Sequence, residues 1–279
     1  MLLSVGASPG LVERTVVPSA ADAGVREFND PSLAVSRPGL AADAPLAVFL
    51  PGTGGRPENT RVLLGVIAGQ GYRALGLEYD DMPAVVQVCP QNPDPSCAAR
   101  FRVMRIDGAG SGAPVSNPAA EAIVPRLVAA IRALDRDAPG EAWGGYLNGG
   151  QPRWDRIVVS GLSQGAGMAA FIAKQHPVRR VVLFSSPWDF TLPGRRLAPW
   201  IAGPSATPAD RWWAEYNIRE NTADLLQQAY RTLGVPADHV LAFRRDLPPG
   251  SGGGPNPYHG VTVRDPGYAP QWRTLYGAP

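Results

Sequence analysis

Arg156-Ile157-Val158-Val159-Ser160-Gly161-Leu162-Ser163-Gln164-Gly165-Ala166-Gly167-Met168-Ala169-Ala170 decides how the rest of the chain is read. A β-branched apolar run leads into Gly-x-Ser-x-Gly at Gly161, Ser163 and Gly165, and an Ala-rich segment suited to helix follows. That is the strand, tight turn and helix of a nucleophile elbow. The spacing has a steric reason. A serine held in a strained backbone conformation at such a turn brings the residues two before and two after it against the neighbouring strand and helix, where glycine alone leaves room. With 32 glycines in the chain the five-residue pattern has a high chance rate, so its weight comes from the strand before it and the helix after it. Ser163 is the candidate nucleophile.

Outward from the elbow, residues 46–50 are a fully apolar run, the mark of a strand covered on both faces, and 180–184, apolar after Arg180, read as another buried strand. The first ends at Pro51-Gly52-Thr53-Gly54-Gly55, a glycine-rich turn. A helix is predicted over 59–69, closed near Gly71, and a strand over 72–79. Apolar residues at helical spacing (Ile123, Leu127, Val128, Ile131, Leu134) predict a helix over 119–134. Further on, 212–218 and 240–243 read as strands and 222–233 as a helix with Thr222 available as its cap. Residues 13–17 and 24–28 read as antiparallel edge strands within an N-terminal stretch, 1–45, of edge strands and loops. Residues 80–118 read as one long irregular segment, and 190–210 as a Pro-rich excursion too short for a lid domain. Strands alternating with helices predict an α/β fold, a mostly parallel doubly wound sheet flanked by helices, in a single domain spanning 1–279.

Composition narrows the class. At 279 residues and 44% hydrophobic the chain can bury one sizeable core. A formal charge of +2 with no basic run gives no reason to expect nucleic acid. No stretch approaches the ~18 consecutive apolar residues of a membrane span. Residues 1–10 lack a charged start and a long apolar core, so they make a poor signal peptide. Cys89 and Cys97 flank a Pro-rich loop. Either they pair as a disulfide that staples the loop, which implies export, or they are two free thiols; with no second Cys or His cluster nearby, metal binding is not expected.

A serine hydroxyl needs a base within reach and a group that orients that base. The chain has three histidines. His176 ends the elbow helix and His239 opens a strand, so both read as structural, whereas His259 follows the last strand in Asn256-Pro257-Tyr258-His259-Gly260, a loop that can reach over the elbow. For the acid, Asp189, Glu220 and Asp246 each follow a strand at its carboxyl end, where open α/β sheets carry functional groups. We rank Asp189 first, Glu220 second and Asp246 third. The oxyanion needs two N–H donors, and Gln164 and Thr53 are the candidates. The turn holding Thr53 lacks the Gly-Lys-Ser/Thr of a phosphate cradle.

These residues resemble the α/β-hydrolase superfamily from about residue 46 to residue 259. In detail they are similar to a group of bacterial, often exported, serine esterases and lipases, through Phe-Leu-Pro-Gly-Thr-Gly-Gly at 49–55, the Cys-containing loop, Gly-Leu-Ser-Gln-Gly at 161–165 and Pro-Tyr-His-Gly at 257–260. The resemblance implies Ser163 as nucleophile and His259 as base. The superfamily's usual His-Gly is Pro51-Gly52 here, and the position after the seventh strand, usually Asp, is Glu220. Ser-Pro-Trp-Asp at 186–189 looks like the segment of cutinases and polyester hydrolases that supplies an aromatic wall, which implies Trp188 as a substrate contact. The expected function is hydrolysis of small or polymeric carboxylic esters through an acyl-enzyme, without cofactor or metal, by a secreted or periplasmic protein. The same machinery would serve an acyltransferase or thioesterase, and a non-catalytic binding protein on the same fold is the alternative from another class.

Overall fold

The computed structural model describes residues 10–250 and 254–279. Most of the poor-signal-peptide reading, residues 1–9, lies outside them. Eight strands form one sheet: β1 Val12–Val16, β2 Ser32–Ser36, β3 Leu46–Leu50, β4 Arg73–Gly76, β5 Ile157–Leu162, β6 Arg180–Phe184, β7 Trp212–Asn217 and β8 Val240–Phe243. Their order across the sheet is β1-β2-β4-β3-β5-β6-β7-β8. β2 runs antiparallel to both its neighbours, and every other pair from β4 to β8 is parallel. This is the α/β-hydrolase arrangement.

Side chains alternate across a strand, so a strand that is apolar throughout feeds two cores. β3 does so: Leu46, Val48 and Leu50 join one apolar cluster, and Ala47 and Phe49 join the other. The helices divide accordingly. α1 (Arg61–Gly69) and the C-terminal α7 (Ala269–Tyr276) pack Leu63, Leu64, Trp272 and Leu275 on the Phe49 side. On the other side lie α2 (Cys97–Asp107), α3 (Ile123–Asp137), the elbow helix α4 (Gln164–Gln175) and α5 (Ala223–Leu233). Among the described residues no helix is long and apolar enough to cross a membrane.

Four local expectations are corrected. Residues 24–28 are not a strand: the backbone N–H groups of Arg26 and Glu27 both donate to Glu121 Oε1 (2.6 and 3.0 Å), so a side chain takes the place of a ladder, and Ser32–Ser36 is the second strand. The segment 80–118 contains α2, whose buried residues Cys97, Ala98, Phe101, Arg102, Arg105 and Ile106 keep helical spacing. Two of those six are arginines, so hydropathy alone hid the period. Thr222 precedes α5 without capping it, its hydroxyl having no partner. His259 sits on a short helix, α6 (Pro257–Val261), and not in a loop. The excursion at 190–210 is a small hairpin, Phe190–Thr191 with Arg196–Leu197, followed by helical turns.

Cys89 and Cys97 form a disulfide, and both are buried. It fixes the first residue of α2 to the loop before it. Closing a loop of 8 residues' separation removes chain entropy worth about 2 kcal/mol from the unfolded state. Cys89→Ser with Cys97→Ser is therefore expected to lower the melting temperature by roughly 4–8 °C at this chain length. Scanning calorimetry of the oxidised, reduced and double-serine proteins checks this; equal melting points for all three would contradict it.

Candidate active site

Ser163 links β5 to α4 with φ +54° and ψ −118°, a left-handed conformation that side chains rarely adopt. The two flanking glycines are there for space. A Cβ on Gly161 would lie 2.6 Å from the Leu50 carbonyl oxygen, and one on Gly165 only 2.0 Å from it. Any larger residue at either place would push β3 away from the turn. Ser163 N–H donates to Phe184 O at the end of β6 (2.9 Å), which ties the elbow to the neighbouring strand. Ser163 itself is half-buried.

The next residue, Ser185, also has positive φ, at +52°. Its hydroxyl donates to Glu220 Oε1 at 2.6 Å, and Asn217 N–H donates to the same oxygen at 3.0 Å. The other carboxylate oxygen, Glu220 Oε2, lies 2.8 Å from His259 Nδ1. Its carboxylate is fully enclosed, whereas the imidazole is 21% exposed. A carboxylate in that position accepts from Nδ1–H, which leaves the lone pair on Nε2. Asn221 holds the approach to α6, with Nδ2 donating to Pro255 O (2.6 Å) and its N–H donating to Asn256 Oδ1 (3.2 Å). Elbow, Ser185, Glu220 and His259 thus occupy the carboxyl ends of β5, β6, β7 and β8 in succession.

The order of the acid candidates is reversed by this geometry. Asp189 makes no contact with His259. Its two oxygens accept from Arg102 Nη2 and Nε (2.6 and 2.8 Å), and Oδ2 also accepts from Trp200 Nε1 (2.8 Å). Arg102 is one of the arginines buried in α2, so the pair was invisible while that helix read as loop. Asp246 is 89% exposed and pairs with Arg219. The remaining histidines are occupied elsewhere: His176 stacks on Trp154, and His239 stacks on Trp213 with Nδ1 3.0 Å from Trp212 O.

Above the elbow, a Cβ on Gly52 would lie 3.1 Å from Ser163 Cβ, so the Pro51–Gly55 turn packs directly on the serine. Thr53 and Gln164 both line a cleft of about 40 Å³ with Ser163, Ser186, Trp188, Asp189 and Arg102. Gln164 is the first residue of α4, where backbone N–H groups have no helical partner and the dipole is positive. Asp81, which sequence reasoning missed, accepts from Gly55 N–H at 3.2 Å and holds the turn. Burial pushes its carboxyl up to about 6, against the opposing pull of the Gly54 and Gly55 N–H groups.

Two more buried carboxyls went unread. Glu215 on β7 is wholly enclosed; Ser185 Oγ lies 3.4 Å from its Oε1. Burial first, then the charge of Glu220, pushes it well above the ordinary carboxylate range, favouring the protonated acid. An acidic residue inside the strand sequence Trp-Trp-Ala-Glu-Tyr-Asn was the available signal. Glu78 follows β4 and is pushed up to about 8 by burial, then by Asp81 and Asp30, with Arg126 and Arg56 opposing. A carboxyl whose folded value is raised contributes its stability below the unfolded value, near 4.5, and loses it as the pH rises through about 8. Glu78→Gln should therefore melt at the wild-type temperature at pH 4.5 and above it at pH 9, by an amount worth at least ~1 kcal/mol. Calorimetry at both pH values checks this; a difference independent of pH would contradict it.

Among the described residues no group of three His, Cys, Asp or Glu side chains could hold a metal ion. No protein-family model matches the chain, and no curated protein matches it in sequence. Solved structures do resemble it. An esterase of the bacterial hormone-sensitive lipase family is 18% identical over 98% of this chain and 88% of its own, with a TM-score of 0.44. A thermostable esterase from Pseudomonas putida is 13% identical over 98% and 84%, with a TM-score of 0.47. A hormone-sensitive lipase from a metagenome library is 16% identical over 96% and 85%, with a TM-score of 0.46.

Proposed function

We propose that this α/β-hydrolase-fold chain is a serine hydrolase that cleaves carboxylic esters through an acyl-enzyme. One observation carries the reading: a serine at positive φ on a strand-to-helix turn shares one sheet edge with an imidazole whose Nδ1 is 2.8 Å from a buried carboxylate. Among the described residues neither Ser163 Oγ nor His259 Nε2 has a hydrogen-bond partner. Ser163 Oγ and His259 Nε2 are therefore not hydrogen-bonded to each other in this structure, and the reading has that contact form with substrate bound.

In this reading Ser163 Oγ attacks the ester carbonyl while its proton passes to His259 Nε2. Glu220 fixes the imidazole tautomer and stabilises the imidazolium that forms. The Gln164 and Thr53 N–H groups receive the oxyanion, a contribution of about 3 kcal/mol for each donor. His259 then returns the proton to the departing alcohol, and water resolves the acyl-enzyme by the same steps in reverse. Trp188, half-buried at the cleft and stacked on Phe190, is a wall for the substrate. A cleft of about 40 Å³ favours a small acyl group. The buried disulfide supports work in an oxidising compartment.

The experiment is a panel of p-nitrophenyl esters from acetate to octanoate. Turnover well above the buffer rate, steepest for the short acids, is the expected result. Background rates across the whole panel would leave a binding protein on a hydrolase fold.

A further inference from the structure

Two buried N–H donors beside Ser163 are left without partners. The Arg102 side chain is 0% exposed. It gives Nε and Nη2 to Asp189 and lies 5.3 Å from the Trp200 ring, but its Nη1 has no hydrogen-bond partner. Gln164 is 4% exposed; its Oε1 accepts from Val85 N–H at 3.2 Å, while its Nε2 has no partner. Both residues line the cleft that Ser163 lines. Buried donors are almost always paired, so one that is not needs a partner such as a water, an ion or a ligand. Two such donors on residues that line one small cleft call for an acceptor.

We propose that the cleft receives the acid half of the substrate, and that Arg102 and Gln164 are specificity-determining donors to an oxygen carried on it. The substrate class is then esters of short oxo or hydroxy acids. Three observations narrow the class. The charge of Arg102 is already balanced by the bidentate Asp189, so a second carboxylate would enter as an uncompensated buried charge, whereas a carbonyl or hydroxyl oxygen would not. The cleft is small, about 40 Å³, which favours a short acid. Gln164 directly follows Ser163 and lines the same cleft, which favours an accepting oxygen near the scissile carbonyl over a remote one. A short acid with an oxygen on its second or third carbon meets all three.

This inference rests on the esterase reading, and the test separates the two. Wild-type kcat/KM is measured for ethyl 3-hydroxybutanoate, ethyl 3-oxobutanoate and ethyl butanoate, each divided by its rate with hydroxide so that intrinsic reactivity cancels. A site built to donate to a substrate oxygen discriminates strongly against the analogue that lacks it, so the oxygenated esters should be favoured by about tenfold or more. In Gln164→Met and in Arg102→Met/Asp189→Leu, which removes the buried pair together, that preference should fall toward one. A wild-type ratio near one with butanoate turned over would overturn the inference and leave the esterase reading standing. A preference that persists in the folded variants would also overturn it. No turnover of any ester would overturn both.

Discussion

Ser163→Ala is expected to lower kcat for p-nitrophenyl acetate by about 10⁵-fold or more, with the melting temperature unchanged. The size of the loss follows from the absence of a second nucleophile at the turn. The unchanged stability follows from the contacts: Ser163 uses only its backbone N–H and carbonyl, toward Phe184 and Gly167, so removing the hydroxyl breaks no hydrogen bond. Alanine is strained at φ +54° as serine is, so the backbone penalty cancels. A stopped-flow assay with a parallel melt checks both halves. Residual activity within a hundredfold of wild type would assign the hydrolysis to another residue.

Glu220→Gln should cost about 10³- to 10⁴-fold in kcat, because an amide nitrogen facing Nδ1 favours the wrong imidazole tautomer. The variant keeps one oxygen for Ser185 Oγ and Asn217 N–H, which now approach Oε1 at 2.6 and 3.0 Å. Its melting point should therefore fall by only a few degrees. Asp189→Asn has the opposite signature. It unbalances an enclosed Arg102, and breaking a buried ion pair on one side costs roughly 3–5 kcal/mol, so the dominant loss is in stability. Asp246→Ala, at an exposed site paired with Arg219, should change neither. Steady-state kinetics and melts on the three variants separate the carboxylates. A loss of kcat in Asp246→Ala equal to that in Glu220→Gln would contradict the geometry.

Where pattern and burial agree, the sequence was readable. Residues 46–50 and 181–184 are apolar because helices cover both faces, and the elbow glycines are fixed by contacts under 3 Å that no side chain could survive. His259 stands out in the sequence because it follows the last strand of a mostly parallel sheet. The failures share a cause, polar residues doing buried work. α2 presents Arg102 and Arg105 inward and was read as loop. Asp189 was ranked first because the arginine that occupies it could not be seen from that loop. Glu121 takes the backbone donors of residues 26 and 27, erasing a strand that the composition suggested. Which carboxylate meets His259 depends on how far the turn after β7 carries Glu220 back toward β6, a distance set by Ser185 and Asn217 and absent from any local pattern.

The central claim, a serine activated by His259 and Glu220, is tested most directly by covalent trapping. The protein is treated with diisopropyl fluorophosphate and its intact mass and tryptic peptides are measured. One adduct per chain, on the peptide carrying Ser163 and strongly slowed in His259→Ala and Glu220→Gln, is the predicted result. An unmodified protein after prolonged treatment, or an adduct on any other residue, would contradict it.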